Sequence, residues 1–168
     1  MDDRQAAGEC PDAGQMLDRI MDSDLRYLMA VSHVVLANNQ ITDRFIERRH
    51  AMPVQAWSSL YAIACFPGLR ARDIQVLFPR PQNTISRAVA LLVGRGHVRE
   101  EALPGDARAK RLFPTPSGLA LLEEILPAVT ARQEEMFAPL SGAERETFLA
   151  LCRKLAAGPM LGRSRVMG

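Results

Sequence analysis

Nine of the chain's 21 basic residues fall between positions 70 and 111 (Arg70, Arg72, Arg80, Arg87, Arg95, Arg99, Arg108, Lys110 and Arg111), against only four acidic ones. Guanidinium and ammonium groups of this density bind phosphate oxygens. Inside the block, Gln82, Asn83, Thr84, Ser86 and Arg87 follow one another closely. On a helix, 82 with 86 and 83 with 87 share a face. Amide, hydroxyl and guanidinium groups at the start of such a helix are the donors and acceptors that read base edges in a major groove. Arg108, Lys110 and Arg111 follow the turn signal Pro104-Gly105-Asp106, which places three cations near a loop tip. Charge alone favours a solvated arginine face. Residues 1–50 are net acidic, 51–69 carry no charge, 112–168 are balanced, and the whole chain is only +2.

The 168 residues are 48% hydrophobic, 24% charged and 5% aromatic. This describes one domain, or two subdomains sharing a core, and excludes a collagen-like chain, wholesale disorder and a disulfide scaffold. Cys10, Cys65 and Cys152 form no Cys-x-x-Cys pair; Cys65 and Cys152 sit in apolar stretches and read as inert. His33, His50 and His97 are not spaced for a metal triad. No phosphate-binding glycine loop, zinc-protease motif or nucleophile–base set stands out, so neither an enzyme nor a cofactor is expected. The acidic start Met1-Asp2-Asp3-Arg4 is not a signal peptide, and no apolar run reaches membrane-spanning length. The expected location is the cytoplasm.

These side chains need elements to position them. Apolar residues at steps of three and four from Met16 to Leu36 predict a helix with an unusually wide stripe, interrupted at Asn38-Asn39. A helix opening at Pro53 buries Trp57, Leu60, Tyr61 and Ile63 and stops at Pro67-Gly68. A short helical segment, Arg70 to Phe78, leads through Pro79-Arg80-Pro81 into a longer helix from Gln82 to about Arg95. Its inward side is Ile85, Val89, Leu92 and Val93; its outward side is Gln82, Asn83, Ser86, Arg87 and Ala90. Strands near 97–102 and 110–114 make a hairpin with a basic tip. Leu119, Leu122, Ile125 and Leu126 line the next helix, which contains Pro127. Ser141 with Glu144 forms a capping box for a last helix bearing Phe148, Leu151, Cys152 and Leu155.

A short helix, a turn, a second helix with a polar outward face and a basic hairpin make the layout of a winged helix-turn-helix. Asn83-Thr84-Ile85-Ser86-Arg87, then Leu91-Leu92, Gly94-Arg95-Gly96 and Val98, then Asp106-Ala107-Arg108 and Leu112 through Thr115-Pro116-Ser117-Gly118, together resemble the MarR family of bacterial winged-helix regulators. Pro53-Val54-Gln55-Ala56-Trp57 resembles the start of that family's second helix. The resemblance covers about residues 16–156. It departs at Phe78-Pro79-Arg80-Pro81, where a Gly- or Leu-rich turn is usual, and at Asp73-Ile74-Gln75, which replaces a Glu-Leu-Ala core.

The resemblance implies a mainly α fold with a small β-hairpin wing, a winged helix-turn-helix flanked by N- and C-terminal dimerisation helices. Residues 1–15 and 158–168 are then flexible tails, 16–50 and 116–157 the helical dimerisation region, and 51–115 the DNA-binding lobe. It implies a homodimer on double-stranded DNA at a pseudo-palindromic operator, acting as a repressor released by a small aromatic or anionic effector. Gln82, Asn83, Thr84, Ser86, Arg87, Arg108, Lys110 and Arg111 are the expected DNA contacts, with Asp106 supporting Arg108 and Asn83 alternatively a helix cap. Arg26, His33, Phe45 and Trp57 are the expected effector residues, although Trp57 and His33 read as core when taken alone. Two alternatives remain: a thiol-based redox sensor using Cys10, whose neighbours Glu9 and Asp12 disfavour a thiolate, and a winged-helix protein-interaction module that does not bind DNA.

Overall fold

The computed structural model describes residues 12–103, 106–159 and 161, without the side chains of Ile41, Leu103 and 106–109. Cys10, the Arg108 side chain and most of both expected tails therefore lie outside the described residues. The chain divides into two compact units, Met1–Ile41 and Thr42–Gly168.

The first unit holds α1 (Ala13–Met21) and the beginning of α2 (Arg26–His50). Helix α1 starts inside the expected tail because Asp12 caps it. The Asp12 carboxylate accepts from the Gln15 amide at 2.9 Å, and the Gln15 side chain returns an acceptor to the Asp12 amide. The break in the first apolar stretch falls at Asp22–Leu25, where the Ser23 hydroxyl donates to the Ile20 carbonyl at 2.7 Å. It does not fall at Asn38-Asn39, where α2 runs on without interruption. Asparagine in a helix costs only about 0.7 kcal/mol, whereas a Ser/Asp cluster offers the backbone a competing set of partners.

The second unit continues α2 and adds α3 (Val54–Cys65), α4 (Ala71–Leu77), α5 (Gln82–Gly94), β1 (Val98–Leu103), β2 (Asp106–Pro114), α6 (Pro116–Phe137) and α7 (Gly142–Ala157). Its core is a single cluster that includes Ile46, Leu60, Ile63, Ile74, Ile85, Leu92, Leu112 and Leu122. Leu60 and Ile63 carry the buried side of α3, but Tyr61 is 41% exposed, and Leu119 of α6 is 44% exposed. Of these, Tyr61 is the residue that helical spacing predicts to be buried. Helical spacing defines a stripe but not how much of it a neighbour covers.

β1 and β2 pair antiparallel with Val98 opposite Pro114 and Glu100 opposite Leu112. Leu112 also bridges Leu69; the Leu112 amide donates to the Leu69 carbonyl at 2.8 Å, and the Gly68 amide donates to the Leu112 carbonyl at 2.8 Å. Gly68 sits at φ +94°, a conformation glycine adopts without strain. The hairpin is thereby stitched to the segment between α3 and α4.

Thr115 caps α6, accepting from the Gly118 amide at 3.1 Å while its hydroxyl donates to the Gly96 carbonyl at 2.6 Å. The Thr115 amide donates to the His97 carbonyl at 3.0 Å. Gly118 is buried in this crossing, where a Cβ would stand 3.0 Å from the His97 carbonyl carbon and 3.2 Å from Leu60 Cδ1. The expected Ser141–Glu144 capping box opens α7. The Ser141 hydroxyl and amide hold the Glu144 carboxyl below the usual carboxylate range. No described residue of α7 is buried, and Cys65 and Cys152, read as inert from apolar surroundings, are both exposed. Among the described residues no helix is long and apolar enough to cross a membrane.

Candidate nucleic-acid interface

Helix α5 is held by its inner face. Ile85, Ala88, Val89 and Leu92 are buried, so the helix cannot roll, and Val93 is half-buried beside them. The opposite stripe is the expected one: Gln82, Asn83, Ser86, Arg87 and Ala90 are all exposed, and Thr84 at the flank is half-buried. Asn83 is not the helix cap. That position is Pro81, which has no side chain to offer. The N–H groups of the first turn therefore lack a side-chain acceptor, a setting that attracts phosphate oxygens. Among the described residues Arg87 makes no ion pair, so its guanidinium is available to a ligand.

The turn before α5 is held from α4. The Gln75 side-chain amide donates to the Arg80 carbonyl at 3.1 Å. Arg70 does not project freely: its Nε and Nη2 clasp the Asp73 carboxylate at 2.9 and 3.0 Å. This two-point bond holds the Asp73 carboxyl below its ordinary value, with partial burial acting against it. Arg95, also within the basic block, reaches back to the Ala51 carbonyl at 2.9 Å. It braces the end of α5 against the α2–α3 connection, where Ala51 has φ +47°.

The wing is less basic than its composition suggests. The Lys110 ammonium pairs with Glu100 and the Arg99 guanidinium with Glu101. Arg99 also lies over the Phe113 ring, 4.5 Å from its centroid. Arg111 stands opposite Glu101 in the ladder and is exposed. Two of the wing's cations are thus partly neutralised, Lys110 across the hairpin and Arg99 within β1. Sequence reasoning missed the roles of Gln75, Arg95 and Glu100. The last was within reach, because Glu100 and Glu101 lie where the hairpin sets them against Lys110 and Arg111.

The expected effector residues are divided between the two units. Arg26 and His33 belong to the first, where both are exposed; His33 is not a core residue, and the Arg26 guanidinium lies 5.7 Å from its neighbour Tyr27's ring centroid. Phe45 and Trp57 belong to the second and are half-buried against its core. The Trp57 ring is 6.1 Å from that of Tyr61. Among the described residues its buried Nε1 has no hydrogen-bond partner, and neither has His50 Nε2. Among the described residues no group of His, Cys, Asp and Glu is arranged to hold a metal ion.

A core-anchored helix-turn-helix with an outward polar stripe, followed by a hairpin, defines the class: a winged helix-turn-helix protein. A MarR family model matches residues 52–109. The chain is 30% identical over 99 residues to the transcriptional regulator HosA of Escherichia coli O111:H-, a match covering 59% of this chain and 73% of that one. A MarR family regulator from Silicibacter pomeroyi shares the fold with a TM-score of 0.70 at 24% identity, over 78% of this chain and 88% of that one. A MarR family regulator from Streptomyces coelicolor, solved in complex with DNA, shares it at 0.69 and 22% identity, over 77% and 83%. The chain belongs to the MarR family of transcriptional regulators.

Proposed function

We propose that this chain is a sequence-specific DNA-binding repressor that works in the cytoplasm as a homodimer on a pseudo-palindromic operator and is released by a small molecule. The observation that carries this reading is the exposed stripe Gln82, Asn83, Ser86 and Arg87 on a helix whose other face is locked into the core. A rigid helix with hydrogen-bonding groups in its first two turns is what major-groove reading requires. The solved complex of the Streptomyces relative with DNA supports it.

Residues 16–50 and 116–157 are the proposed dimerisation region and 51–115 the DNA-binding lobe. Support comes from uncovered apolar side chains: Tyr27, Leu28 and Leu36 on α2, and Phe148, Leu151 and Leu155 on α7 are all exposed in the single chain. A second copy covering them removes that surface from water. For the effector, the buried, unpartnered Trp57 Nε1, with Phe45 against the same core, favours an aromatic molecule carrying an acceptor.

The test is affinity for fragments of the protein's own upstream region against random duplex, at two salt concentrations. Tight binding to one fragment is expected, weakening steeply with salt as displaced counterions return to the DNA. Equal, weak binding to both DNAs would refute sequence-specific regulation. In the same assay Arg108→Ala is expected to weaken operator binding about five- to thirtyfold with the dimer intact by sedimentation. Unchanged affinity would remove Arg108 from the interface.

A further inference from the structure

The turn that delivers α5 has few means of holding its own shape. Pro79 and Pro81 carry no N–H, and the Phe78 amide is spent on the Ile74 carbonyl at 2.9 Å. Ring closure fixes φ at both prolines, and the position before Pro81 confines Arg80 to extended backbone. What remains is the orientation of the Arg80 peptide plane, one residue ahead of the Pro81 cap. That plane is gripped from α4 by the Gln75 amide at 3.1 Å from the Arg80 carbonyl oxygen, and both residues are half-buried.

We infer that Gln75 is a positioning residue for DNA reading: its amide holds the Arg80 carbonyl and so sets the angle at which the first turn of α5 meets base edges. Gln75 itself lies behind the interface, on α4, and touches no residue of the outward stripe through this bond. Gln82, Asn83, Ser86 and Arg87 occupy the first turn and a half of α5, directly after the gripped turn, so a small displacement of that turn passes to them relative to the bases. Phosphate contacts tolerate such a shift, while directional bonds to base edges do not. The Arg80 charge opposes the upward push that burial exerts on the Asp43 carboxyl of α2, and among the described residues Asp43 Oδ1 is buried without a hydrogen-bond partner.

This inference rests on the sequence-specific reading above. The test uses Gln75→Met, which keeps length and helix propensity but cannot donate, and Gln75→Glu, whose carboxylate faces the carbonyl with no proton to give. Each is compared with wild type on the best upstream fragment and on random duplex of equal length. Both variants are expected to lose about three- to tenfold on the specific fragment and nothing on random DNA, with the salt slope unchanged. An unchanged ratio of specific to random affinity, or an equal loss on both DNAs, overturns the inference. Hydrogen exchange across residues 78–86 supplies a readout independent of DNA. Faster exchange there, with the Leu60 and Leu92 amides unaffected, is expected in both variants. Should wild type itself fail to discriminate between the DNAs, the regulator reading falls, and unchanged exchange at the turn still overturns the positional role.

Discussion

Replacing Arg87 with alanine is expected to lower affinity for the specific operator by about ten- to a hundredfold, the largest loss of any single substitution on the outward stripe. Arg87 is exposed one turn into α5, on a helix whose inner face is buried, so its guanidinium is presented by a rigid base. A two-point bond from arginine to guanine is worth about 1–3 kcal/mol of discrimination, and the planar fork is pre-organised for it. Lys110→Ala is the informative contrast. Lys110 is already paired with Glu100, so removing it takes away a charge the wing has partly spent, and the expected loss is about two- to threefold. Titrations of both variants on operator and random DNA at two salts check this. A base-reading Arg87 shows a fall in the specific-to-random ratio, whereas a phosphate contact lowers both affinities together and reduces the salt slope by about one. Equal losses for Arg87→Ala and Lys110→Ala would mean that the cross-hairpin ion pair does not hold Lys110 back.

Gly118→Ala is expected to destabilise the chain by about 3 kcal/mol or more, the top of the usual range for inserting a methyl group into a packed site. The reason lies in what surrounds the position. An added Cβ meets the His97 carbonyl group, its carbon at 3.0 Å, with Leu60 Cδ1 at 3.2 Å on the other side. A flexible side chain can swing away, but the His97 carbonyl accepts from the Thr115 amide and is fixed at the end of the α5–β1 connection. Relief requires α6 to move off the hairpin, which also breaks the Thr115 cap and its bond to the Gly96 carbonyl. For a domain of this size 3 kcal/mol corresponds to a fall in Tm of about 6–12 °C. Thermal unfolding of Gly118→Ala beside Gly142→Ala is the check, since nothing lies within 4 Å of a Cβ at Gly142. A Tm unchanged in Gly118→Ala would show that the α6–hairpin crossing is looser than its geometry implies.

The parts of the interface written in local sequence were legible. The bounds of α5, its inward Ile85, Val89 and Leu92 and its outward Gln82, Asn83, Ser86 and Arg87 follow from a period of 3.6 residues and from the prolines and glycines on either side. The hairpin follows from its central turn signal and the capping box of α7 from Ser141 and Glu144. The misreadings share a cause. Asn38-Asn39 reads as a break because both residues favour turns, yet neither forbids a helix, and the interruption lies at the Ser/Asp cluster upstream. Apolar neighbours predict a buried Tyr61 and inert Cys65 and Cys152, yet all three are exposed in the single chain.

By itself, then, the sequence determined which residues form helix α5, which side of it faces out, and that a hairpin follows, since each of these is set by short-range periodicity, ring closure at proline and the conformational freedom of glycine. Only the tertiary structure decided which cations are free. Arg95 is committed to the Ala51 carbonyl 44 positions away, and Arg70 to Asp73. Lys110 is committed to Glu100 across the hairpin, and the turn before α5 takes its hold from Gln75. A charge or an amide in the sequence is a capacity. Whether it is spent within the protein or left for a partner depends on which groups the fold brings within about 3 Å, and apart from the local Arg70–Asp73 bond that distance is set by packing between elements, beyond the reach of any local pattern.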